Sequence, residues 1–219
     1  MQKLIIIGNG SYARMMNRYI DMTEFGETAA FAVDQIYIQE QQIDGLPVIS
    51  LEALAWDYLQ DEVLLIMGIG YRKMSNIRRQ VYETCKSFGY QFANYIHPTA
   101  IIEKNVALGE GNNILEGVII EESVSLGNAN LLYGGSLIAH ETVVGDFNTF
   151  SVKAVVAGCT VIRHHCFIGA AATIKDHIVL EDYVFIGASA YASKSMEKYS
   201  VLVPSESRIL TDKKSIDLL

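Results

Sequence analysis

The chain has 219 residues, 50% of them hydrophobic, and a formal net charge of −8 at pH 7. It has no basic cluster and no apolar run of the roughly 18 residues that a bilayer requires, so binding to nucleic acid or anionic membrane and insertion into a membrane are not expected. Its three cysteines, Cys85, Cys159 and Cys166, are odd in number and lack metal-ligand spacing, which favours reduced thiols in a cytoplasm and predicts no metal site.

Residues 1–95 alternate between short apolar runs and helical stretches. Strands are predicted at residues 3–7, 31–34, 63–70 and 90–95. Helices are predicted from the turn GNGSYA to about residue 22, and over residues 51–59 and 76–88. Because strands and helices alternate with short loops, the sequence predicts a small parallel, Rossmann-like sheet as the first domain.

Two glycine turns, residues 8–11 and 68–72, and Asp34 fall at the carboxyl edge of this predicted sheet, where such folds bind ligands. The first turn has Ala13 where a dinucleotide motif would place its third glycine, so the dinucleotide signal is weak. A domain of this size is better suited to bind a single nucleotide than a dinucleotide. The alternative is that both turns are only tight connections and that Asp34 caps a helix.

From Ile96 onward, every sixth residue is bulky and apolar, without an insertion, for sixteen positions. These are Ile96, Ile102, Leu108, Ile114, Ile120, Leu126, Leu132, Ile138, Val144, Phe150, Val156, Ile162, Ile168, Ile174, Leu180 and Ile186. A period of six is typical of a hexapeptide β-helix, in which three hexads close one triangular coil. Residues eighteen apart then stack about 4.8 Å from one another. The pattern predicts a β-helix over residues 96–191 and a separate C-terminal tail over 192–219, with one extended segment at 201–210.

One column of corner residues, at intervals of eighteen, reads Glu122, His140, Gly158 and Asp176. His140 is followed by Glu141, and a histidine beside a carboxylate suits a general base. Gly158, one coil along, offers a backbone N–H that no side chain shields, as a developing oxyanion requires. Alternatively, His140 is one polar corner among many.

The other histidines of the repeat, His164, His165 and His177, are expected to be solvated residues on corners of the β-helix. Lys153 and Lys175 could contact phosphate, although surface lysines usually contact water. None of these five residues is assigned a chemical role.

Several motifs together resemble one family: GNGSYA, FAVD, MGIGYRKMSNIRR, IHPTA, AHETVVG and VVAG. They are similar to sugar acyltransferases that carry a small nucleotide-binding domain ahead of a left-handed β-helix. Members of this family acetylate nucleotide-linked 4-amino sugars or O-acetylate sialic acid. The resemblance covers essentially the whole chain, and the His-Glu pair with glycine eighteen residues later is its most specific part.

The resemblance implies a role for each site residue. His140 would take a proton from the sugar amine, Glu141 would orient the imidazole, and the Gly158 N–H would meet the thioester oxygen. Acetyl-CoA would lie between two subunits of a homotrimer, along Gly158, Ala170 and Ala188. The nucleotide would be held by Gly8, Asn9, Gly10, Ser11, Asp34, Gly68, Ile69, Gly70 and Arg72.

The leading hypothesis is therefore a cytoplasmic, acetyl-CoA-dependent N-acetyltransferase without a metal. Its substrate would be a UDP- or dTDP-linked 4-amino-4,6-dideoxyhexose used in bacterial surface glycans such as lipopolysaccharide or capsule. The alternatives are O-acetylation of a sugar such as sialic acid, and a non-catalytic β-helix that binds or assembles. A dehydrogenase is the weakest option because of Ala13 and the small first domain.

Overall fold

The computed structural model describes residues 3–207 and residue 216. In that part of the chain, an α/β domain is followed by a long stack of two-residue parallel strands. The predicted fold class, a Rossmann-like domain ahead of a left-handed β-helix, is confirmed. None of the helices in the described ranges is long and apolar enough to cross a membrane.

The first domain contains one five-stranded sheet and three helices. Its strands are β1 (Lys3–Ile7), β2 (Glu27–Val33), β3 (Gln42–Ile43), β4 (Leu46–Ser50) and β5 (Val63–Met67). Its helices are α1 (Ser11–Met22), α2 (Leu51–Asp57) and α3 (Asn76–Ser87), with a 3₁₀ turn at Gln35–Tyr37. The strand order is β3-β4-β2-β1-β5, and every pairing is parallel except that of β3 with β4. Burial of the apolar central strands on both sides fits this parallel arrangement.

Two features of this sheet differ from the sequence prediction. The β3–β4 hairpin was missed, because β3 has only two residues and β4 contains Pro47, which is unfavourable within a strand. The strand predicted at 90–95 is wrong, since Phe92 makes only an isolated bridge with Leu65. The end of that stretch belongs to the β-helix instead.

The β-helix has three faces. The first contains β6 (Tyr95–Ile96), β9 (Asn113–Ile114), β12 (Leu131–Leu132), β15 (Thr149–Phe150), β18 (Phe167–Ile168), β21 (Phe185–Ile186) and β23 (Val201–Leu202). The second contains β7 (Ile101–Ile102), β10 (Ile119–Ile120), β13 (Leu137–Ile138), β16 (Val155–Val156), β19 (Thr173–Ile174) and β22 (Tyr191–Ala192). The third contains β8 (Ala107–Leu108), β11 (Ser125–Leu126), β14 (Val143–Val144), β17 (Val161–Ile162) and β20 (Val179–Leu180).

The hexad residues build the core. From Ile114 to Ile186 every one of them is buried, and residues eighteen apart pair in register, as Ile138 does with Val156. The corners require a left-handed backbone, which is adopted by non-glycine residues such as Glu141 and Cys159. The stacked layers therefore hold backbone conformations that an isolated hexad would not favour.

The strand ladder continues past residue 191. β22 pairs with β19, and β23 pairs with β21 at the end of the first face. Residues 203–207 have no regular structure, and most of the tail predicted to be loosely held lies outside the described residues. The domain boundaries at residues 95 and 191 stay predictions.

The two domains meet around one buried cation. Arg78 of α3 is fully buried, and its Nη2 donates to the carbonyls of Phe147 (2.7 Å) and Asn148 (2.9 Å) and to Thr149 Oγ1 (3.3 Å). Its Nη1 donates to the carbonyl of Gly70 at 3.3 Å. Burial lowers the pKa of Arg78 to about 10. A side chain of the first domain thus supplies hydrogen bonds to β-helix carbonyls that water cannot reach.

His165 differs from its prediction. Expected at a solvated corner, its side chain is buried, with 4% relative exposure, between the rings of Phe147 and Tyr183 at centroid distances of 5.2 and 4.6 Å. Its Nδ1 lies 3.0 Å from the carbonyl oxygen of Met74. Phe147, His165 and Tyr183 are eighteen residues apart, so the repeat itself stacks the three rings. The burial of His165, in contrast, depends on the first domain, which covers this corner.

Candidate functional site

A cavity of about 870 Å³ lies at the carboxyl edge of the first sheet. Its lining includes all nine residues expected to hold a nucleotide: Gly8, Asn9, Gly10, Ser11, Asp34, Gly68, Ile69, Gly70 and Arg72. The parallel strands β1, β2 and β5 bring the two glycine turns and Asp34 to one place, as expected for this type of sheet. Their role in binding stays a prediction.

The two turns pack against each other at Gly8 and Gly68, too closely to accept a side chain at either residue. Gly8 has φ +114°, a conformation that favours glycine. A Cβ at Gly68 would lie 2.6 Å from the carbonyl oxygen of Ile7. Gly10 precedes α1, and no heavy atom lies within 4 Å of where its Cβ would stand. The helix N-terminus is therefore open to the cavity, which favours an anionic group there.

Sequence reasoning missed several residues of this lining. Arg14 and Arg18 come from α1, one turn apart, and Tyr37 and Glu40 come from the segment after β2. Arg14 Nη2 pairs with Glu40 Oε2 at 3.1 Å. The spacing of the two arginines was the available signal, since residues i and i+4 lie on one face of a helix.

Tyr133 reaches the cavity from the β-helix, at the start of the corner between its first and second faces. It packs against Tyr12 with ring centroids 5.8 Å apart. Asn113 Nδ2 donates to the Tyr12 hydroxyl at 2.9 Å and to the carbonyl of Met67 at 2.6 Å. Burial raises the pKa of Tyr12, and it raises that of Tyr133 to about 12, so both phenols stay neutral donors or acceptors.

His140 and Glu141 lie at a different corner, between the second and third faces. His140 Nδ1 is 3.5 Å from Glu141 Oε2, and both side chains are more than half exposed. The backbone N–H of His140 donates to Glu121 Oε2 at 2.9 Å, which anchors the corner. With Nδ1 directed to a carboxylate, Nε2 is the ring nitrogen available as a base.

Gly158 lies directly under this imidazole. A Cβ at Gly158 would be 2.6 Å from both Nε2 and Cε1 of His140, so glycine provides the space that the ring occupies. Among the hydrogen bonds of the described residues, none uses the Gly158 N–H as donor. The structure therefore brings together the residues predicted as base and oxyanion donor, one coil apart.

Cys159 belongs to the same cluster and was missed by sequence reasoning. Its Sγ donates to Glu141 Oε2 at 3.3 Å, and this hydrogen bond raises the pKa of the thiol. The available signal was again the interval of eighteen, since Cys159 follows Glu141 exactly as far along the chain as Gly158 follows His140. Cys85 and Cys166, in contrast, are buried.

The other residues expected to contact acetyl-CoA lie elsewhere in the chain. Ala170 and Ala188 follow β18 and β21 and stack at the corner between the first and second faces, where the Ser189 N–H donates to the Ala170 carbonyl. Within one chain they are not brought together with Gly158. Neither His140 nor Gly158 lines the cavity of the first domain.

Residues 3–85 match the family model described as the PglD N-terminal domain. The match covers the sheet, both glycine turns and most of α3, including Arg78. The first domain is therefore similar to the PglD N-terminal domain, and the matched residues include all of the cavity lining named above except Tyr133.

Solved structures match over both domains. The acetyltransferase domain of PglB from Neisseria gonorrhoeae FA1090 is 20% identical, with TM-score 0.81, over 93% of this chain and 97% of that one. WeeI from Acinetobacter baumannii AYE is 20% identical, with TM-score 0.82, over 96% and 100%. A variant of the GDP-perosamine N-acetyl transferase from Caulobacter crescentus, in complex with CoA and GDP-perosamine, is 18% identical, with TM-score 0.83, over 93% and 94%.

A comparison with curated proteins gives no match. At these identities the solved structures show the fold alone, and that fold is shared along nearly the whole chain. Together with the PglD N-terminal domain, they confirm the resemblance to the two-domain sugar acyltransferases on which the sequence prediction drew.

Proposed function

We propose that this protein is an acetyl-CoA-dependent N-acetyltransferase that acts on the amino group of a nucleotide-linked 4-amino-4,6-dideoxyhexose. The observation that carries the proposal is the position of His140 Nε2 above Gly158, with Nδ1 facing Glu141. A base nitrogen and an unpaired backbone N–H one coil apart suit acyl transfer from a thioester. The Neisseria acetyltransferase domain and the Caulobacter GDP-perosamine N-acetyl transferase support the same reaction class.

The reaction follows from this geometry. The amine nitrogen attacks the thioester carbon, and the carbonyl π electrons move to oxygen, where the Gly158 N–H donates to the developing oxyanion. His140 Nε2 takes the proton that the nitrogen loses, while Glu141 stabilises the resulting imidazolium. Collapse of the tetrahedral intermediate breaks the C–S bond, and the CoA thiolate takes up that proton. An amide and free CoA result.

The nucleotide would occupy the cavity of the first domain. The open N-terminus of α1 and the nearby guanidinium of Arg72 suit its phosphates, and the predicted residues of the two glycine turns and Asp34 surround the remaining space. UDP and dTDP are the carriers that we expect. The GDP-linked sugar bound by the Caulobacter enzyme makes GDP a third candidate.

A complete site would require more than one copy of the chain. His140 does not line the nucleotide cavity, and Ala170 and Ala188 lie at a different corner from Gly158. A homotrimer with acetyl-CoA between neighbouring β-helices would bring these parts together. The three free thiols agree with a cytoplasmic location, and the product would enter synthesis of a bacterial surface glycan.

The test is to incubate the protein with acetyl-CoA and a panel of UDP-, dTDP- and GDP-linked amino sugars, with mass spectrometry as the readout. We expect one acetyl group on a 4-amino sugar, as an amide that resists hydroxylamine. A hydroxylamine-labile product would indicate O-acetylation instead. Absence of any acetylated product, with His140→Ala indistinguishable from the wild type, would leave a non-catalytic β-helix. Competition by free nucleotide identifies the carrier.

A further inference from the structure

Three side chains at the candidate catalytic corner bring metal-ligand atoms close together. A nitrogen of His140, a carboxylate oxygen of Glu141 and Cys159 Sγ all lie within 4.8 Å of one another. Glu141 Oε2 lies 3.5 Å from His140 Nδ1 and 3.3 Å from Cys159 Sγ. The carboxylate thus bridges an imidazole and a thiol that are held on neighbouring coils.

These separations suit a tetrahedral ion. Zinc binds imidazole nitrogen and carboxylate oxygen at about 2.0–2.2 Å and sulfur at about 2.3 Å. The edges of such a tetrahedron are then about 3.4 Å between nitrogen and oxygen and about 3.6 Å between sulfur and oxygen. The two observed distances each lie within a few tenths of an ångström of these values. The third pair, the His140 nitrogen and Cys159 Sγ, lies within 4.8 Å, against about 3.6 Å in such a tetrahedron, so rotation of these side chains would complete the ligand set.

The backbone holds the three residues in place. Glu141 and Cys159 both occupy left-handed corner positions, with φ 56° each, in adjacent layers of the β-helix. The Cys159 N–H donates to the His140 carbonyl at 2.9 Å, which ties the two layers together at this point. Ligands on such a rigid scaffold lose little conformational freedom when they bind an ion.

The donor set selects the type of ion. One thiolate, one imidazole and one carboxylate suit zinc, whereas magnesium and calcium prefer oxygen ligands alone. Cys159 is the partly exposed cysteine of the three, while Cys85 and Cys166 are buried and remote from this cluster. Three protein ligands leave a fourth position open to water or to another ligand.

We propose that His140 Nδ1, Glu141 and Cys159 form a Zn²⁺ site that switches off the candidate base. A neutral imidazole that gives its Nδ1 lone pair to a metal carries its remaining proton on Nε2. His140 would then face the substrate with an N–H instead of a free lone pair, and Glu141 would no longer orient it. Binding releases the thiol proton to solvent, and no electrons are transferred.

Metal binding is tested without any substrate, by titrating the purified protein with Co²⁺ and recording absorption. We expect one ion per chain and a thiolate-to-cobalt charge-transfer band. Loss of a residue that only supports a metal ligand typically weakens binding 10–100-fold. Cys159→Ser loses a ligand itself, so it should weaken binding by about 100-fold or more and remove the charge-transfer band. A wild-type protein without a saturable band, or a Cys159→Ser protein that binds like it, overturns the proposal.

A matched control comes from the same column of corners. His177 is an exposed histidine one coil beyond Cys159, but it does not belong to the ligand cluster. His177→Gln should keep the cobalt spectrum, while His140→Ala and Glu141→Gln should weaken binding. Loss of the band in His177→Gln, with full binding by His140→Ala, would show that the ligands are assigned wrongly.

The inhibitory part of this proposal rests on the proposed acetyltransferase activity, whereas the binding part does not. We expect Zn²⁺ to inhibit wild-type acetyl transfer, and Cys159→Ser, with each protein compared with its own metal-free rate, to require about 100-fold more Zn²⁺ for the same fractional inhibition. Equal inhibition of both proteins overturns the switch. If no acetyl transfer exists at all, the cobalt titration still decides whether the site binds a metal.

Discussion

Polar side chains are buried at the domain junction but exposed at the corner that carries His140. At the junction, Arg78 is completely buried and donates to three carbonyls and one hydroxyl. At the corner, His140 is half exposed and faces one carboxylate at 3.5 Å. The contacts of Arg78 hold the two domains together, whereas the exposure of His140 leaves a ring nitrogen accessible to a ligand.

In this molecule, the buried polar contacts that hold the two domains together therefore lie apart from the exposed side chains that could react with a ligand. A buried guanidinium is tolerated only when acceptors replace the water that it loses, and here all of its Nη contacts are to backbone or hydroxyl oxygens, without a carboxylate. At the corner, the backbone is fixed by the β-helix while the side chains stay exposed. Four predictions test this separation.

The first prediction concerns the exposed corner. His140→Ala should lower turnover about 10²–10⁴-fold, the usual contribution of a general base, because the imidazole packed against Gly158 is that of His140. Its thermal unfolding should match that of the wild type, since an exposed side chain adds little to the core. Steady-state kinetics and calorimetry measure the two effects. His177→Ala serves as the control, and equal rates for the two variants would remove His140 from the mechanism.

The second prediction concerns the junction. Arg78→Met should reduce the free energy of unfolding by about 2–4 kcal/mol, because the buried carbonyls of Phe147 and Asn148 lose a donor. Arg79→Met is the matched control on the same helix. Arg79 is partly exposed and pairs with Glu83 at 3.8 Å, so its loss should change stability by less than about 0.5 kcal/mol. Urea unfolding compares them, and equal losses would contradict the assigned role of Arg78.

The third prediction concerns Gly158, whose substitution would displace the His140 imidazole without removing it. In Gly158→Ala the new methyl group would overlap the His140 imidazole, which can rotate toward solvent because it is half exposed. We expect turnover to fall by about 10²-fold, as for other small displacements of catalytic groups, while the unfolding temperature changes little. Full turnover in this variant would show that the observed position of His140 is not the reactive one.

The fourth prediction concerns an acidic residue at the junction. Burial raises the pKa of Glu110, but hydrogen bonds from Lys86, Tyr82 and the Phe92 N–H outweigh it and hold the pKa below its usual range. A depressed carboxyl pKa stabilises the folded state above the unfolded value of about 4.3, and this stabilisation is lost as pH falls through the lower folded value.

Glu110→Gln should therefore remove about 1 kcal/mol of stability near neutral pH and flatten the acid dependence of unfolding. Urea titrations at about pH 6 and about pH 3 measure both effects around the reference pKa. Glu83→Gln, on an exposed part of α3, is the control. A Glu110→Gln protein with the same acid sensitivity as the wild type would contradict the assignment.

Much of the candidate site could be predicted because it follows from simple periodicities. The interval of eighteen placed Gly158 under His140, and the carboxyl edges of parallel strands placed Gly8, Asp34 and Gly68 around one cavity. The same interval also linked Glu141 to Cys159, although that pair was overlooked. Arg14 and Tyr133 were missed because the motifs that predict the glycine turns say nothing about the lining residues that come from α1 or from the β-helix.

The β-helix could be predicted from the sequence, since a bulky apolar residue recurs every six positions and these residues are buried from Ile114 to Ile186. The fold of the whole chain was needed to show that His165 is buried beside Met74 and that Arg78 is buried against β-helix carbonyls. Both depend on how the first domain covers one corner. That contact joins residues far apart in the chain and depends on the shapes of two finished surfaces, which no repeat in either domain encodes.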